Sequence, residues 1–262
     1  MDIITSLVLG TLQGATEFLP ISSSGHLVIA EKILGNRAST GLIFEVFVHS
    51  GTMVSVLIYF RKKIWQMIKF LIPPYTADKM PMLKLVGIII ISTIPIAVIG
   101  LAFESYVNQA FGSVKTTSLM LLLTALVLLS TSFVRAGKLE ISLIKGLFIG
   151  IAQAVALLPG ISRSGMTIST GLFLKVSPAQ AVEFSFLLSL PAVFGATLLK
   201  AINLASEPLP GSTFGIYLAG AVCAFIIGYL AIAWLMQIVK KGQFFYFGIY
   251  CLVIGISGLL FL

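Results

Sequence analysis

Six runs of about 20 apolar residues dominate this chain, and each is long enough to cross a bilayer as an α-helix. Inside lipid, only helices and closed barrels satisfy every backbone hydrogen bond, so we expect all six runs to be helical. Charged residues make up only 10% of the chain, against roughly 25% in soluble domains. The sequence therefore predicts an all-α integral membrane protein with six transmembrane helices. The predicted spans are residues 42–60, 84–103, 116–134, 180–200, 213–236 and 244–262.

Two further apolar stretches, residues 2–34 and 141–176, are each interrupted by a polar turn rich in Pro, Gly and Ser. The turns read LPISSSGH at 19–26 and PGISRSG at 159–165. Irregular backbone at membrane depth is tolerated only where it is buried in protein or lines a wet cavity. We therefore interpret both stretches as re-entrant helix–turn–helix hairpins.

The basic residues predict the orientation of these segments. Of the 17 Lys and Arg residues, twelve would lie on one side of the membrane, while Lys115 and Lys200 are among those on the other. An excess of Lys and Arg marks the cytoplasmic side, so both termini and the first hairpin face outward, and the second hairpin enters from the cytoplasm. The net charge of +8 is thus explained by the Lys and Arg residues that set the orientation. No basic patch interleaved with aromatic residues suggests nucleic acid as a partner.

The two halves of the chain repeat several residues. Five residues of the first half recur 140 positions later: Gln13, Ile21, Ser22, Ser24 and Gly25 return as Gln153, Ile161, Ser162, Ser164 and Gly165. We interpret the chain as a single membrane domain, 1–262, built from two inverted-topology repeats. The first covers about 1–110 with hairpin 2–34, and the second about 115–262 with hairpin 141–176. In proteins of this kind the polar site lies near the midplane, at the repeat interface.

The first turn carries a polar cluster that is costly in lipid. Gln13 and Glu17 lie four residues apart, on one helical face. A carboxylate at this depth needs a cationic or metal partner, protonation, or neighbouring backbone and Ser groups. The serines at 22–24 include one expected helix N-cap, and the free N–H groups of that helix start form an anion site. His26 lies three residues after Ser23, which favours a nucleophile and general base, although a structural His stays open.

The second turn carries Arg163 between two serines and two glycines. An Arg at membrane depth needs an anionic partner, and its planar fork suits a phosphate. A permanent salt bridge to a carboxylate such as Glu17 is the structural alternative. The residues around Arg163 that would complete a phosphate cradle are Gly160, Ser162, Ser164 and Thr167.

Further polar residues are secondary candidates for the site. Glu45 and Glu183 are repeat-related acids in predicted spans, and either could pair with Arg163 or bind a cation. His49 follows Glu45 by one helical turn and is either a site residue or a hydrogen-bonded core residue. Gln153 is the repeat counterpart of Gln13.

Taken together, these motifs resemble one known family. Residues 13–26 read Gln-Gly-Ala-Thr-Glu-Phe-Leu-Pro-Ile-Ser-Ser-Ser-Gly-His, residues 159–167 read Pro-Gly-Ile-Ser-Arg-Ser-Gly-Met-Thr, and residues 183–188 read Glu-Phe-Ser-Phe-Leu-Leu. The chain resembles the bacterial undecaprenyl-diphosphatase family of the bacitracin-resistance type over nearly its whole length. Gln13 stands where that family often has Glu, and Ser24 where Thr is common.

The resemblance implies hydrolysis of the terminal phosphate of undecaprenyl diphosphate, which returns the lipid carrier to cell-wall synthesis. It also implies a divalent cation, Mg²⁺ or Ca²⁺, and a multi-pass protein of the bacterial cytoplasmic membrane with its site open to the outer side. Its partners would be the polyprenyl diphosphate and membrane lipid, and a homodimer stays open. Our own hypothesis is that Glu17 holds part of the cation's coordination, with Gln13 as a further ligand despite its lack of charge.

These two lines of argument combine into one mechanistic hypothesis. Arg163, with the serines of both turns and Thr167, holds the diphosphate, and Ser23 attacks it with His26 as its base. A variant has His26 or an activated water attacking instead. The alternative function is an inverted-repeat transporter or flippase of a polyprenyl phosphate lipid, which the two opposed hairpins would also suit.

Overall fold

The computed structural model describes residues 1–34, 42–73, 75–111, 113–204 and 211–262. Within these ranges the chain forms twelve α-helices with two short 3₁₀ segments. The helices are α1 (Ile3–Phe18), α2 (Ser23–Leu34), α3 (Leu42–Tyr59), α4 (Arg61–Phe70), α5 (Met80–Ala102), α6 (Glu104–Phe111), α7 (Val114–Ser130), α8 (Leu143–Val155), α9 (Arg163–Phe173), α10 (Pro178–Leu204), α11 (Gly211–Lys240) and α12 (Tyr246–Phe261). The predicted all-α class is confirmed.

Four helices are long and apolar enough to cross a membrane, namely Ala77–Ala102, Val114–Phe133, Pro178–Ile202 and Thr213–Lys240. They match four of the six predicted spans. A fifth arises if Ile43–Tyr59 and Arg61–Phe70, which meet at 77°, are counted as one bent span. The sixth predicted span, residues 244–262, forms the shorter apolar helix Tyr246–Phe261. The protein is therefore a multi-pass membrane protein with four to five helices of spanning length and composition.

Both predicted hairpins form pairs of short helices separated by a turn. Helices α1 and α2 have 16 and 12 residues, so they are about 24 and 18 Å long, against a hydrocarbon core of about 30 Å. Helices α8 and α9 have 13 and 11 residues. Each pair breaks at the polar segment expected from the sequence, because Pro and Gly interrupt a helix there.

The first helix of each hairpin packs against a long helix of the opposite half. Helix α1 lies along α11, and α8 lies along α5. A Cβ at Gly10 of α1 would overlap the backbone of Gly220, and a Cβ at Gly150 of α8 would overlap the backbone of Ser92. Small residues are needed here because the helix backbones touch. This close packing holds the two turns in the interior, where the side chains of Phe18 and Ile161 are buried.

Candidate active site

The two polar turns touch one another inside the helix bundle. The Ser164 hydroxyl donates to the Leu19 carbonyl oxygen at 3.1 Å, which ties the second turn to the first. A Cβ on Gly25 would lie 3.1 Å from the Cα of Gly160. The two segments that carry the chemistry-bearing residues are therefore in direct contact, although they lie far apart in sequence.

A serine begins each of the helices that leave these turns. The Ser22 hydroxyl accepts the Gly25 N–H at 3.2 Å, and the Ser162 hydroxyl accepts the Gly165 N–H at 3.0 Å. Ser22 has a φ of 68°, which is uncommon outside glycine and brings the chain sharply into α2. The expected N-cap serine is thus confirmed as Ser22. Both helices direct unsatisfied N–H groups and the positive end of their dipole towards the turns.

Glu17 joins the two turns through its carboxylate. One of its oxygens, Oε1, forms a salt bridge with Arg163. The other, Oε2, accepts the Ser23 hydroxyl at 2.5 Å and the Gln13 side-chain N–H at 3.0 Å. The residue is only 8% exposed. The predicted Arg163 and Ser23 are therefore brought to the same carboxylate, one from each turn.

A cavity of about 500 Å³ opens beside this carboxylate. Its polar end includes Gln13, Thr16, Glu17, Ser22, Ser23, Ser24, His49, Ser162 and Arg163. The remainder is lined mainly by apolar and small residues of α2, α5 and α10, among them Leu27, Ile96, Ala97, Gly100, Ala192, Val193, Gly195 and Ala196. The cavity can thus hold a charged group at one end and an apolar chain at the other.

A second ion pair lines the same cavity. Lys200 of α10 lies 2.6 Å from a carboxylate oxygen of Glu45 on α3. One turn further along α3, the Nδ1 of His49 lies 3.1 Å from the side-chain nitrogen of Gln13. His49 and Glu45, which the sequence left as secondary candidates, are therefore both part of the cavity wall.

The predicted pairing of Ser23 with His26 is not seen in this structure, where each of the two side chains bonds with other residues. The His26 Nδ1 donates to the Ser22 carbonyl oxygen at 2.8 Å. Its Nε2 lies 2.8 Å from the Tyr250 hydroxyl on α12. Both ring nitrogens are therefore engaged with residues other than Ser23, and His26 is absent from the described residues that line the cavity. Glu17 occupies the place beside the Ser23 hydroxyl that we expected for His26.

Three residues predicted to bind phosphate hold the second turn together. The Thr167 hydroxyl bonds with Ser185 at 2.5 Å and donates to the Arg163 carbonyl oxygen at 2.8 Å. The Gly160 carbonyl oxygen accepts the Thr124 hydroxyl at 2.9 Å. Gly160, Ser164 and Thr167 do not belong to the described cavity lining, whereas Ser22, Ser24 and Ser162 do.

Two other secondary candidates lie outside the cavity. Glu183 pairs with Lys63 of α4 at 2.9 Å. Gln153 is fully buried, and neither of its amide atoms has a hydrogen-bond partner. Neither residue is among the described residues of the cavity wall.

The residues around Glu17 suit a divalent cation whose remaining ligands come from the substrate and water. Within the described parts of the chain, no three His, Cys, Asp or Glu side chains gather as a complete metal site. The Oε1 atom of Gln13, however, is buried without a partner next to the Glu17 carboxylate. Mg²⁺ is commonly bound by one or two carboxylates together with substrate phosphates and water. Glu17 and the free amide oxygen of Gln13 suit that mode of binding.

Two residues of this region were missed by sequence reasoning. Lys200 was interpreted only as one of the basic residues on the outer side of the membrane, and nothing in the sequence pairs it with Glu45. Tyr250 lies 224 residues from His26, inside an apolar helix in which a Tyr is unremarkable. Both contacts depend on tertiary packing, so no local pattern could have identified them.

Comparison with known proteins extends the resemblance found in the motifs. The family model described as bacitracin resistance protein BacA matches residues 6–257. The undecaprenyl-diphosphatase of Korarchaeum cryptofilum is 41% identical over 263 residues, which cover 98% of each chain. That of Syntrophotalea carbinolica is 41% identical over 259 residues, 97% of each chain. That of Christiangramia forsetii is 38% identical over 266 residues, 100% of this chain and 98% of its own. The chain therefore belongs to the bacitracin resistance protein BacA family.

Proposed function

We propose that this protein removes the terminal phosphate of undecaprenyl diphosphate, giving undecaprenyl phosphate and inorganic phosphate. The observation that carries the proposal is the Glu17 carboxylate, which bonds with Ser23 from one turn and Arg163 from the other. A nucleophile and a phosphate-binding cation are thereby held beside one cavity. Relatives that cover almost the whole chain bear the name undecaprenyl-diphosphatase.

The diphosphate headgroup binds at the polar end of the cavity. Arg163 is the first residue of α9 and Ser23 the first residue of α2, so two helix N-termini and a guanidinium face the same space. In the structure, Glu17 is the anion that Arg163 contacts. A phosphate replaces it, because the bidentate fork of Arg suits phosphate as well as carboxylate. Glu17 and the phosphate are thus alternative partners of the same guanidinium.

The first chemical step transfers the terminal phosphoryl group to Ser23. As Arg163 moves to the phosphate, Glu17 becomes free to accept the Ser23 hydroxyl proton across their 2.5 Å hydrogen bond. The Ser23 oxygen forms a bond with the terminal phosphorus, and the bond from that phosphorus to the bridging oxygen breaks. Undecaprenyl phosphate leaves with the bridging oxygen, and Arg163 stabilises the charge on the transferring group.

The second step releases inorganic phosphate and restores the enzyme. Water attacks the phosphoserine, its oxygen bonds to phosphorus, and the bond to the Ser23 oxygen breaks. The proton that Glu17 took in the first step is returned to the Ser23 oxygen, while the proton lost by water leaves with phosphate and solvent. His26, held by Ser22 and Tyr250, keeps the start of α2 in place.

A divalent cation at this site would be held by Glu17 and Gln13. When bound, such an ion neutralises charge on the phosphate oxygens as a Lewis acid. The support for this proposal is the buried Gln13 Oε1 atom, which has no hydrogen-bond partner beside Glu17. Mg²⁺ and Ca²⁺ both prefer such oxygen ligands.

The isoprenoid tail leaves the headgroup along the apolar part of the cavity. The walls here come mainly from α5 and α10, and small residues such as Ala97, Gly100 and Gly195 leave room between the helices. Nothing lies within 4 Å of the position a Cβ would take on Gly195. An isoprenoid chain can therefore lie between these helices and continue into the bilayer.

In the membrane, we propose six spanning helices and two re-entrant hairpins arranged as two inverted repeats. Helix α12 is the sixth span, and it packs along α7. The pairing of α1 with α11 and of α8 with α5 supports the repeats, because each pair joins a hairpin of one half to a span of the other. The protein would lie in the bacterial cytoplasmic membrane, with the site open to the outer side, where it returns the lipid carrier to cell-wall synthesis.

The chemical difference between the two turns favours hydrolysis over transport. With the repeat offset of 140 residues, Ser23 and Arg163 occupy equivalent positions in the two turns. A symmetric gate would have similar residues at both positions, whereas these two carry a nucleophile and a cation. We therefore do not favour the flippase alternative.

The test is phosphate release from undecaprenyl diphosphate by the purified full-length protein. We expect activity in the wild type, and a loss of at least about 100-fold in Ser23→Ala and Arg163→Ala, the scale seen when a strong transition-state contact is removed. Arg135→Ala is the matched control, since Arg135 is exposed at the end of α7, and it should retain wild-type rates. An inactive wild type, or an active Arg163→Ala variant, would contradict the proposal.

Trapping the intermediate tests the nucleophile itself. Rapid quenching in denaturant at neutral pH during turnover, which preserves both phosphoserine and the acid-labile phosphohistidine, followed by peptide mass spectrometry at neutral pH, should find phosphate on Ser23. Phosphate on His26 instead would remove Ser23 from its role, and the absence of any adduct with wild-type turnover in Ser23→Ala would point to attack by water.

A further inference from the structure

The Glu45–Lys200 ion pair has no role in the reaction as described so far, yet it lines the reaction cavity. The Lys200 ammonium lies 2.6 Å from the Glu45 carboxylate, joining the last turns of α10 to the first turn of α3. The Lys200 side chain is 41% exposed, and that of Glu45 is 25% exposed. A half-exposed ion pair contributes little to stability, typically about 0–1 kcal/mol. Stability alone therefore gives a weak reason for two opposite charges in a membrane cavity.

The repeat-related acid offers an internal comparison. Glu183 also pairs with a lysine, Lys63, at 2.9 Å, and both side chains are about one-third exposed, at 33% and 34%. The two pairs are similar in distance and exposure, but only the Glu45 pair lies among the described residues of the cavity wall. The difference between them is thus one of location, which makes the second pair a control for the first.

Charge balance within the cavity points to the ligand of Lys200. Among the described lining residues, the side chains with a formal charge are Glu17, Glu45, Arg163 and Lys200. The two cations neutralise the two carboxylates, so the cavity has no net charge to offer an anion. A diphosphate carries at least two negative charges, and Arg163 supplies only one positive charge. Besides the divalent ion proposed at Glu17 and Gln13, Lys200 is the second cationic side chain of the lining that is able to meet it.

The position of Lys200 along the cavity also suits a diphosphate. Glu45 lies one helical turn, about 5.4 Å, from His49 on α3, and His49 contacts Gln13, which contacts Glu17. A continuous line of contacts along the cavity wall therefore links the two ion pairs. The flexible stem of a lysine can cover the remaining distance.

We propose that Lys200 is a substrate-binding residue that exchanges Glu45 for a phosphate of the diphosphate headgroup. In the structure Glu45 holds the ammonium at the cavity wall, as Glu17 holds Arg163. When the headgroup enters, both cations move from carboxylate to phosphate. This inference rests on the proposed function and adds the second cationic contact to it, with Glu45 as a competitor that the substrate displaces.

Steady-state kinetics with undecaprenyl diphosphate test this exchange, because the two partners should act in opposite directions. Lys200→Met is expected to raise KM at least about tenfold, the loss expected for one hydrogen bond to a charged group, and Lys200→Arg to restore most of it. Glu45→Gln is expected to lower KM by up to about fivefold, since the ammonium is released from its competitor. An ion pair that only holds α3 to α10 would give losses of the same sign in both variants.

Lys63→Met is the matched control, and its KM should stay within about twofold of the wild type because Lys63 lies away from the cavity. Equal KM values in Lys200→Met and Lys63→Met, or a raised KM in Glu45→Gln, would overturn the inference. A wild type that releases no phosphate would instead refute the proposed function. Size-exclusion profiles of all variants report on folding, and a gain in affinity in Glu45→Gln cannot come from a folding defect.

Discussion

At the scale of single residues, the two repeat-related glutamines differ in their hydrogen-bond partners and in their distance from the site. Both Gln13 and Gln153 are fully buried. The Gln13 amide nitrogen donates to Glu17 and contacts His49, while its oxygen faces no partner. Gln153 has no partner for either amide atom and lies away from the described cavity wall. The free oxygen of Gln13 is therefore positioned to bind a ligand, whereas the unpaired amide of Gln153 only lowers the stability of the fold.

We predict that Gln13→Leu raises the Mg²⁺ concentration needed for half-maximal activity by about tenfold, the scale of losing a group that supports a metal site. The measurement is a Mg²⁺ titration of phosphate release after treatment with a chelator. Gln153→Leu is the control, and its midpoint should not move, because replacing an unsatisfied buried amide by an apolar group of similar size is close to neutral. An unchanged midpoint in Gln13→Leu would exclude Gln13 from the cation site.

The residues that could be predicted from the sequence are those whose chemistry conflicts with lipid. Glu17 and Arg163 are costly in a membrane, and Ser23 lies in a turn that must be buried, so all three were identifiable before any contact was known. The direction in which a side chain points could not be predicted in this way. His26 turns towards Tyr250, 224 residues away, and Lys200 reaches Glu45, 155 residues away. Such choices depend on packing, which local spacing does not encode.

At the scale of elements, the second turn depends on one glycine. Gly160 has a φ of 92°, a region that side chains rarely adopt. A Cβ there would also overlap the Thr117 carbonyl oxygen on α7. The turn packs against α7 at this point, with the Thr124 hydroxyl donating to the Gly160 carbonyl oxygen at 2.9 Å. Because Arg163 follows three residues later, the position of its guanidinium depends on this contact.

We predict that Gly160→Ala lowers the free energy of unfolding by at least about 2 kcal/mol, through backbone strain and steric overlap together, and reduces phosphate release more than tenfold. Thermal unfolding in detergent and the activity of the folded fraction measure the two effects. Gly242→Ala separates the causes, since Gly242 has a φ of 70° but open space around it. It should lose only about 1–2 kcal/mol and keep full activity. Similar behaviour of both variants would show that the contact with α7 is unimportant.

The helix boundaries of both hairpins were predictable because Pro and Gly mark the breaks within otherwise apolar stretches. The 77° bend between α3 and α4 was not predicted as such. The sequence there passes from an apolar span to the charged residues at 61–63, which indicates the end of a span but not the direction the chain takes next. None of the α4 residues is buried, so an amphipathic helix at the membrane surface fits this segment.

At the scale of the whole molecule, two ion pairs mark the opposite ends of α3 and α10. Glu45 near the start of α3 meets Lys200 near the end of α10. Lys63, just after α3, meets Glu183 near the start of α10. The two helices are therefore antiparallel, and Lys63 and Lys200 lie at opposite ends of this helix pair, as the predicted topology requires. The Lys175 ammonium, 3.4 Å from the Arg135 carbonyl oxygen, joins two more of the loops predicted to be cytoplasmic.

This orientation predicts which positions react with a membrane-impermeant thiol reagent in intact cells. Lys115→Cys, at the start of α7, should be labelled from outside, whereas Lys241→Cys, after α11, should be labelled only once the cells are permeabilised; both side chains are exposed. Cys223 and Cys251 are first replaced by Ala, so that each variant carries one thiol. We expect the excess of Lys and Arg on the Lys241 side to retain that side in the cytoplasm, because basic loops are translocated poorly. Labelling of Lys241→Cys alone in intact cells would show that the orientation is inverted. Labelling of both variants would exclude a single orientation. Either result would contradict a site that opens only towards the outer side.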